Sequence, residues 1–192
     1  MKYVLKICCL MLIFVGCNEN PEKKKSESAK QYSNITKEKD TLFSIKEDRF
    51  EYGSSCGYRN KKGDTIIPIG TFNMCFTDTF ANYAYVFDKN LYGEDMVAIN
   101  RKKEVIFDAY LFDNGSDYIS DGLFRIKRNG KIGFANELGE VIIEANYECA
   151  YPFENGKAKV AYDCETINDD MDHSTWQSSN WFYIDKNGNK IK

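Results

Sequence analysis

The sequence predicts an all-β fold of tandem units, each a β-hairpin followed by a third strand. Three observations predict it. Aromatic residues make up 15% of the chain, with 13 Phe and 13 Tyr, an enrichment that favours pleated strands over helices. Four segments share a column pattern: CGYRNKKGDTII from Cys56, MVAINRKKEVIF from Met96, IGFANELGEVII from Ile132 and WFYIDKNGNKIK from Trp181. Their starts lie 40, 36 and 49 residues apart, the spacing of a repeat array.

The fifth column holds Asn60, Asn100, Asn136 and Asp185, and the eighth holds Gly63, Lys103, Gly139 and Gly188. Asn or Asp at the head of a tight turn bonds its own backbone two residues on. Gly three positions later accepts positive φ and closes a hairpin with a bulge. A side chain at that position costs about 1–2 kcal/mol in the left-handed conformation, so Lys103 predicts a distorted second turn. The third column is aromatic at Tyr58, Phe134 and Tyr183; the eleventh is Ile66, Ile106, Ile142 and Ile191. Alternation on either side predicts one buried face per hairpin.

Third strands follow in FANYAYVF (80–87), ISDGLFRI (119–126) and FENGKAKV (153–160), aligned end to end. LFSIK (42–46) echoes LFRIK (123–127), so the array opens on a lone third-type strand. About four degenerate units therefore fill residues 41–192. An elongated β-array is expected, with a closed propeller-like ring as the alternative.

The segment before the domain reads as an address. MKYVLKICCLMLIFVGC places Lys2 and Lys6 before an apolar run from Ile7 to Val15, the layout of a secretory signal and too short for a permanent span. Phe14-Val15-Gly16-Cys17 resembles the bacterial lipobox, with Phe14 where Leu is usual. The resemblance implies a signal peptide over 1–16, cleavage before Cys17 and lipid attachment there. Two or three acyl chains hold a protein firmly on a membrane. Residues 18–40 carry few aliphatic side chains and many Lys, Glu and Ser, the composition of a disordered tether.

One stretch carries a further resemblance. RIKRNGKIGFANELGEVIIEANYECAYPFENGKAKV is similar to the bacterial WG-repeat (KWG-repeat) family, whose unit runs Asn-Gly-Lys-Trp-Gly-Tyr-Ile-Asp-x-x-Gly-Lys, then Tyr-x-x-Ala-x-x-Phe and Gly-x-Ala-x-Val. Tyr147, Ala150, Phe153, Gly156, Ala158 and Val160 match it. Ile132 stands in the Trp column, and Trp181 keeps the Trp beside Phe182. The resemblance implies a β-repeat protein of the bacterial cell envelope. It supplies no chemistry.

Candidate chemistry is sparse. Residues 41–192 hold 18 basic and 24 acidic residues, a net charge of −6, which offers no nucleic-acid footprint. The 163–180 insertion holds the one histidine, His173, with Asp170, Asp172 and Trp176. Trp176 is the expected binding anchor, and the acidic cluster around His173 matches no metal motif. No metal or cofactor is expected, and no catalytic constellation is seen. Cys56, Cys75, Cys149 and Cys164 allow two disulfides in three connectivities, the local pairing being favoured, or four buried thiols. Tyr83, Tyr85, Tyr110, Phe112, Tyr118 and Tyr151, near strand ends or crossing segments, are a third candidate site: some are suited to stack sugars or peptides, and most are expected in the core.

The expected function is a membrane-anchored envelope lipoprotein of the outer membrane, facing the periplasm or the surface. Its repeat domain is expected to be non-catalytic, a binding or scaffolding module for an envelope protein or glycan. The alternative is an envelope hydrolase or metal-dependent enzyme working through the 163–180 insertion.

Overall fold

In the hairpin led by Asn136, one amide organises the turn. Its Oδ1 accepts from the amides of Leu138 and Glu140, both at 3.0 Å, and its Nδ2 donates to the Glu140 carboxylate at 2.7 Å. Gly139 N donates back to the Asn136 carbonyl at 2.8 Å with φ 78°. Asn60, Asn100 and Asp185 make the same pair of side-chain-to-backbone bonds. The computed structural model that shows this describes residues 40–47, 55–87, 96–168 and 174–191. The expected signal peptide, Cys17 and all but the last residue of the expected tether lie outside the described residues. Contacts divide the chain into Met1–Asn34 and Ile35–Lys192, and everything described belongs to the second unit.

The second turn is not distorted, contrary to expectation. Lys103 takes φ 67° and its amide reaches the Asn100 carbonyl at 3.0 Å. The bonds from Asn100 outweigh the strain, and the Lys103 side chain extends into solvent.

Among the described residues all regular structure is strand. Each unit is an antiparallel three-stranded meander. The first is β1 (Leu42–Lys46), β2 (Cys56–Arg59) and β3 (Thr65–Phe72); the second is β6 (Ala84–Phe87), β7 (Met96–Ile99) and β8 (Val105–Ala109). The third is β11 (Leu123–Arg128), β12 (Lys131–Asn136) and β13 (Val141–Tyr147); the fourth is β15 (Lys157–Ala161), β18 (Phe182–Asp185) and β19 (Lys190–Ile191). The sheets are open: none closes on itself. The fold is therefore an all-β repeat array.

Glycine decides how units are joined. A Cβ on Gly57 would lie 2.3 Å from the Ile67 carbonyl oxygen, and one on Gly133 would lie 2.5 Å from that of Ile143. Both glycines face bulges in the neighbouring strand, between the pairs Cys56↔Phe72 and Tyr58↔Ile67 and between Ile132↔Tyr147 and Phe134↔Ile143. Past the bulge the strand pairs once more with its own meander, at Phe72 or Tyr147. It then pairs with the next unit through β4 (Met74–Cys75) on β6 and β14 (Cys149–Ala150) on β15. Val97 fills this column in the second unit. There β8 runs on without that bulge and pairs directly with β11. Hence β4, the second meander and the third meander form one seven-stranded sheet, ordered β13-β12-β11-β8-β7-β6-β4.

Three cores follow, each shared by consecutive units, as repeat stacking requires. Tyr58, Ile67 and Phe80 pack with Val86 and Ile99 between units one and two. Phe107, Phe124 and Ala135 pack between two and three. Phe134, Phe153, Val160 and Ile184 pack between three and four. One-sided burial was expected, but β7 is buried on both faces because it serves two cores.

Two other column readings change. Ile66 and Ile142 are more than 40% exposed. They occupy the bulge position skipped in the pairing, and Ile67 and Ile143 one residue later carry the burial. The third strand of unit two also shifts by one. Ala84 pairs with Ile99 as Phe124 pairs with Ala135, each partner sitting just before the turn Asn. The sequence alignment had set Tyr85 against Phe124. Third strands three and four are preceded by the left-handed pairs Asp121-Gly122 and Asn155-Gly156; unit two has no such marker, and a one-residue slip exchanges the faces of a strand.

Candidate functional site: an uncovered aromatic and lysine face

The fourth unit repeats a motif that the third unit closes. In unit three Ala109 pairs with Ile126, which sets Tyr110 beside Arg125. The guanidinium lies 4.1 Å over the Tyr110 ring and is buried. A buried carboxylate completes it: Arg125 Nε donates to Asp117 Oδ2 at 2.9 Å and Nη2 to Oδ1 at 2.7 Å. In unit four Ala150 pairs with Val160, which sets Tyr151 beside Lys159. The ammonium lies 5.8 Å from the Tyr151 ring and 4.6 Å from that of Trp181. No carboxylate of a described residue pairs with it.

The difference is one of chain length. Unit three places a small hairpin, β9 (Leu111–Phe112) and β10 (Gly115–Ser116), between Tyr110 and Asp117. Unit four goes from Tyr151 through Pro152 and Phe153 straight to a tight turn. Lys157, Lys159 and Tyr183 share the uncovered face of the sheet, since Lys159 pairs with Tyr183 and the two lysines are two residues apart. Lys157 lies 4.9 Å over the Tyr183 ring. Phe134, the counterpart of Tyr183, is fully buried, whereas Tyr183 is 44% exposed. With Tyr118, Tyr151 and Glu154 these residues line an open concavity of about 730 Å³.

The insertion borders this face. It forms a two-stranded hairpin, β16 (Glu165–Asn168) and β17 (Ser174–Gln177). Trp176 on β17 meets Tyr151 edge-on at 5.2 Å, and Trp181 meets it at 5.5 Å. The Cys149–Cys164 disulfide ties the hairpin base to β14, and a second disulfide joins Cys56 to Cys75. Asp163 accepts from Asn180 Nδ2 at 2.6 Å and from Ser178 Oγ at 3.1 Å. Those bonds, the Asn180 one foremost, hold its carboxyl below the ordinary range.

Of the residues singled out from sequence, Trp176 reaches this face. His173, Asp170 and Asp172 lie outside the described residues. Among the described residues no group of three His, Cys, Asp or Glu side chains is placed to hold a metal. Tyr118 and Tyr151 line the concavity, while Tyr83 and Tyr85 pack against the middle core. Lys157, Lys159, Trp181 and Tyr183 were missed as site residues. Their signal was present: lysines occupy the third strand where the preceding unit has Leu123 and Arg125.

The sequence profile described as WG containing repeat matches residues 98–131 and again 132–163. Over residues 98–163 the chain is similar to two consecutive WG repeats. No curated protein and no solved structure matches the chain. The second WG repeat opens at Ile132 on β12 and ends at Asp163, so it contains Gly133, both groove lysines and Tyr151. The first meander, and β18 and β19 of the fourth, keep the same strand order outside the matched residues. The groove is thus built where the second WG repeat meets the fourth hairpin.

Proposed function

We propose that this protein is a lipid-anchored protein of the bacterial envelope, held in the outer membrane through Cys17, whose WG-repeat domain is a non-catalytic binding module. The observation that carries the binding reading is the uncovered face of unit four. The other third-column aromatics, Tyr58 and Phe134, are buried, whereas Tyr183 stands in the open beside Tyr151, Tyr118 and two lysines. Repeat proteins commonly bind through such a surface, and large rigid rings are favoured anchors. The anchoring reading rests on the charged, apolar and Gly-Cys regions of residues 1–17.

Two measurements test it. Cys17→Ser should move the protein out of the membrane fraction; retention equal to wild type contradicts the anchor. Immobilised full-length chain should retain a component of envelope extracts, and replacing residues 165–178 with a short Gly/Ser turn should abolish retention while the melting transition stays cooperative. Undiminished retention would place the binding surface elsewhere, and chemical conversion of the retained component would contradict a non-catalytic role.

A further inference from the structure

We propose that the uncovered face of unit four binds an acidic glycan of the uronate type, its carboxylate seated on Lys159 and its sugar rings on Tyr151 and Tyr183. This rests on the binding-module reading and names its ligand class.

The neighbouring unit shows what this site lacks. At the equivalent position a cation lies over a tyrosine and a carboxylate closes on it: Arg125, Tyr110 and Asp117. Unit four keeps the tyrosine and a cation and has dropped the segment that would bring the acid. An anion from outside fits the vacated place. The two lysines concentrate positive charge on a domain whose net charge is −6, so the face attracts anions locally against the overall sign.

Three exposed phenol rings select the rest of the ligand. Tyr118, Tyr151 and Tyr183 are each at least 40% exposed. Flat rings of this kind suit the C–H faces of sugars, and their hydroxyls suit sugar hydroxyls. A peptide adding as a strand would need a long free edge. The edge strands of this sheet, β14 and β19, have two residues each. A cap that only keeps a repeat end soluble needs polar residues and has no use for three open rings in one concavity with two lysines.

The chain carries its own reporter, since both tryptophans, Trp176 and Trp181, adjoin Tyr151. The experiment titrates detergent-solubilised full chain with galacturonate oligomers and follows tryptophan emission. A saturable change is expected, weakened at least tenfold by methyl-esterifying the oligomers, and by Lys159→Gln in a variant that melts as wild type does. It should weaken as salt rises. Absence of a saturable change, equal binding of the neutral ester, or an undiminished Lys159→Gln response overturns the proposal. Tighter binding of poly-glutamate would assign the face to acidic peptides. Concentration-dependent self-association abolished by Tyr183→Ala, without a glycan response, would assign it to a second copy. Those last two results sink the glycan and leave the binding module standing; failure to retain any envelope component would remove the module itself.

Discussion

Asp117 and Arg125 form a two-pronged ion pair with both side chains at 4% exposure or less. Asp117 Oδ2 also accepts the Arg125 backbone amide at 2.8 Å, and Arg125 Nη1 reaches the Ala150 carbonyl at 3.3 Å. The pair therefore links the second crossing segment, the third strand and the start of the fourth unit. Breaking a buried pair leaves an uncompensated charge, at a cost of about 3–5 kcal/mol. Asp117→Ala should lower unfolding stability by that amount in urea melts. A joint Asp117→Leu, Arg125→Met variant should recover much of the loss, because no charge is left stranded. A loss under 1 kcal/mol for Asp117→Ala would show that the pair is not closed.

Gly133 should tolerate no side chain. Its Cβ would press on the Ile143 carbonyl, and that neighbour is backbone. Gly133→Ala should cost about 1–3 kcal/mol, whereas Gly115→Ala, with open space around it, should stay within about 0.5 kcal/mol. Equal shifts at the two sites would contradict the bulge geometry.

The equivalent turn positions should respond with opposite signs. Lys103→Gly should raise stability by about 1 kcal/mol, since it relieves a left-handed side chain. Gly139→Val should lower it by about 1–2 kcal/mol or more. Gly139 also has φ 78° and a Cβ there would lie 2.5 Å from the Tyr83 ring. Thermal melts of both variants check this, and a destabilised Lys103→Gly would show that Lys103 makes a contact of its own.

These sites mark how far the sequence could be read. The Asn-x-x-Gly turns were legible because their chemistry is local: one side chain bonds its own next four residues. The strand–hairpin order was legible for the same reason, and the third unit was clearest because all its turn glycines are present. The bulge opposite Gly133 was not, since it lies on a strand ten residues away. The slip of Tyr85 followed from a missing turn marker. The lysine and aromatic face was hidden because Lys159 looks like any surface lysine until Arg125 shows what the equivalent position in the preceding unit holds. Trp176 and Tyr151 were each singled out by residue type; their edge-on contact was not legible, because it joins β17 to a segment 25 residues earlier.

Asp185 is the one acidic residue among the four turn leaders. The Asn189 side chain and backbone, then the Asn187 amide, hold its carboxyl below the model-peptide value of 3.8. A depressed folded value contributes stability above the unfolded value, and that contribution is lost as pH falls through the folded one. Stability should therefore decline below about pH 4 in part through this turn. Asp185→Asn, which copies Asn136, should flatten that part of the decline and leave stability at pH 7 nearly unchanged. An identical acid profile for the variant would contradict the assignment.

The most direct test of the account is hydrogen–deuterium exchange on the full chain, with and without a saturating envelope glycan fraction. Added protection is expected only in peptides covering 117–120, 147–160 and 174–185, which carry Tyr118, Tyr151, Lys157, Lys159, Trp176, Trp181 and Tyr183, with the first two meanders unchanged. Protection centred on β1–β8, or no difference anywhere on the array, would contradict it.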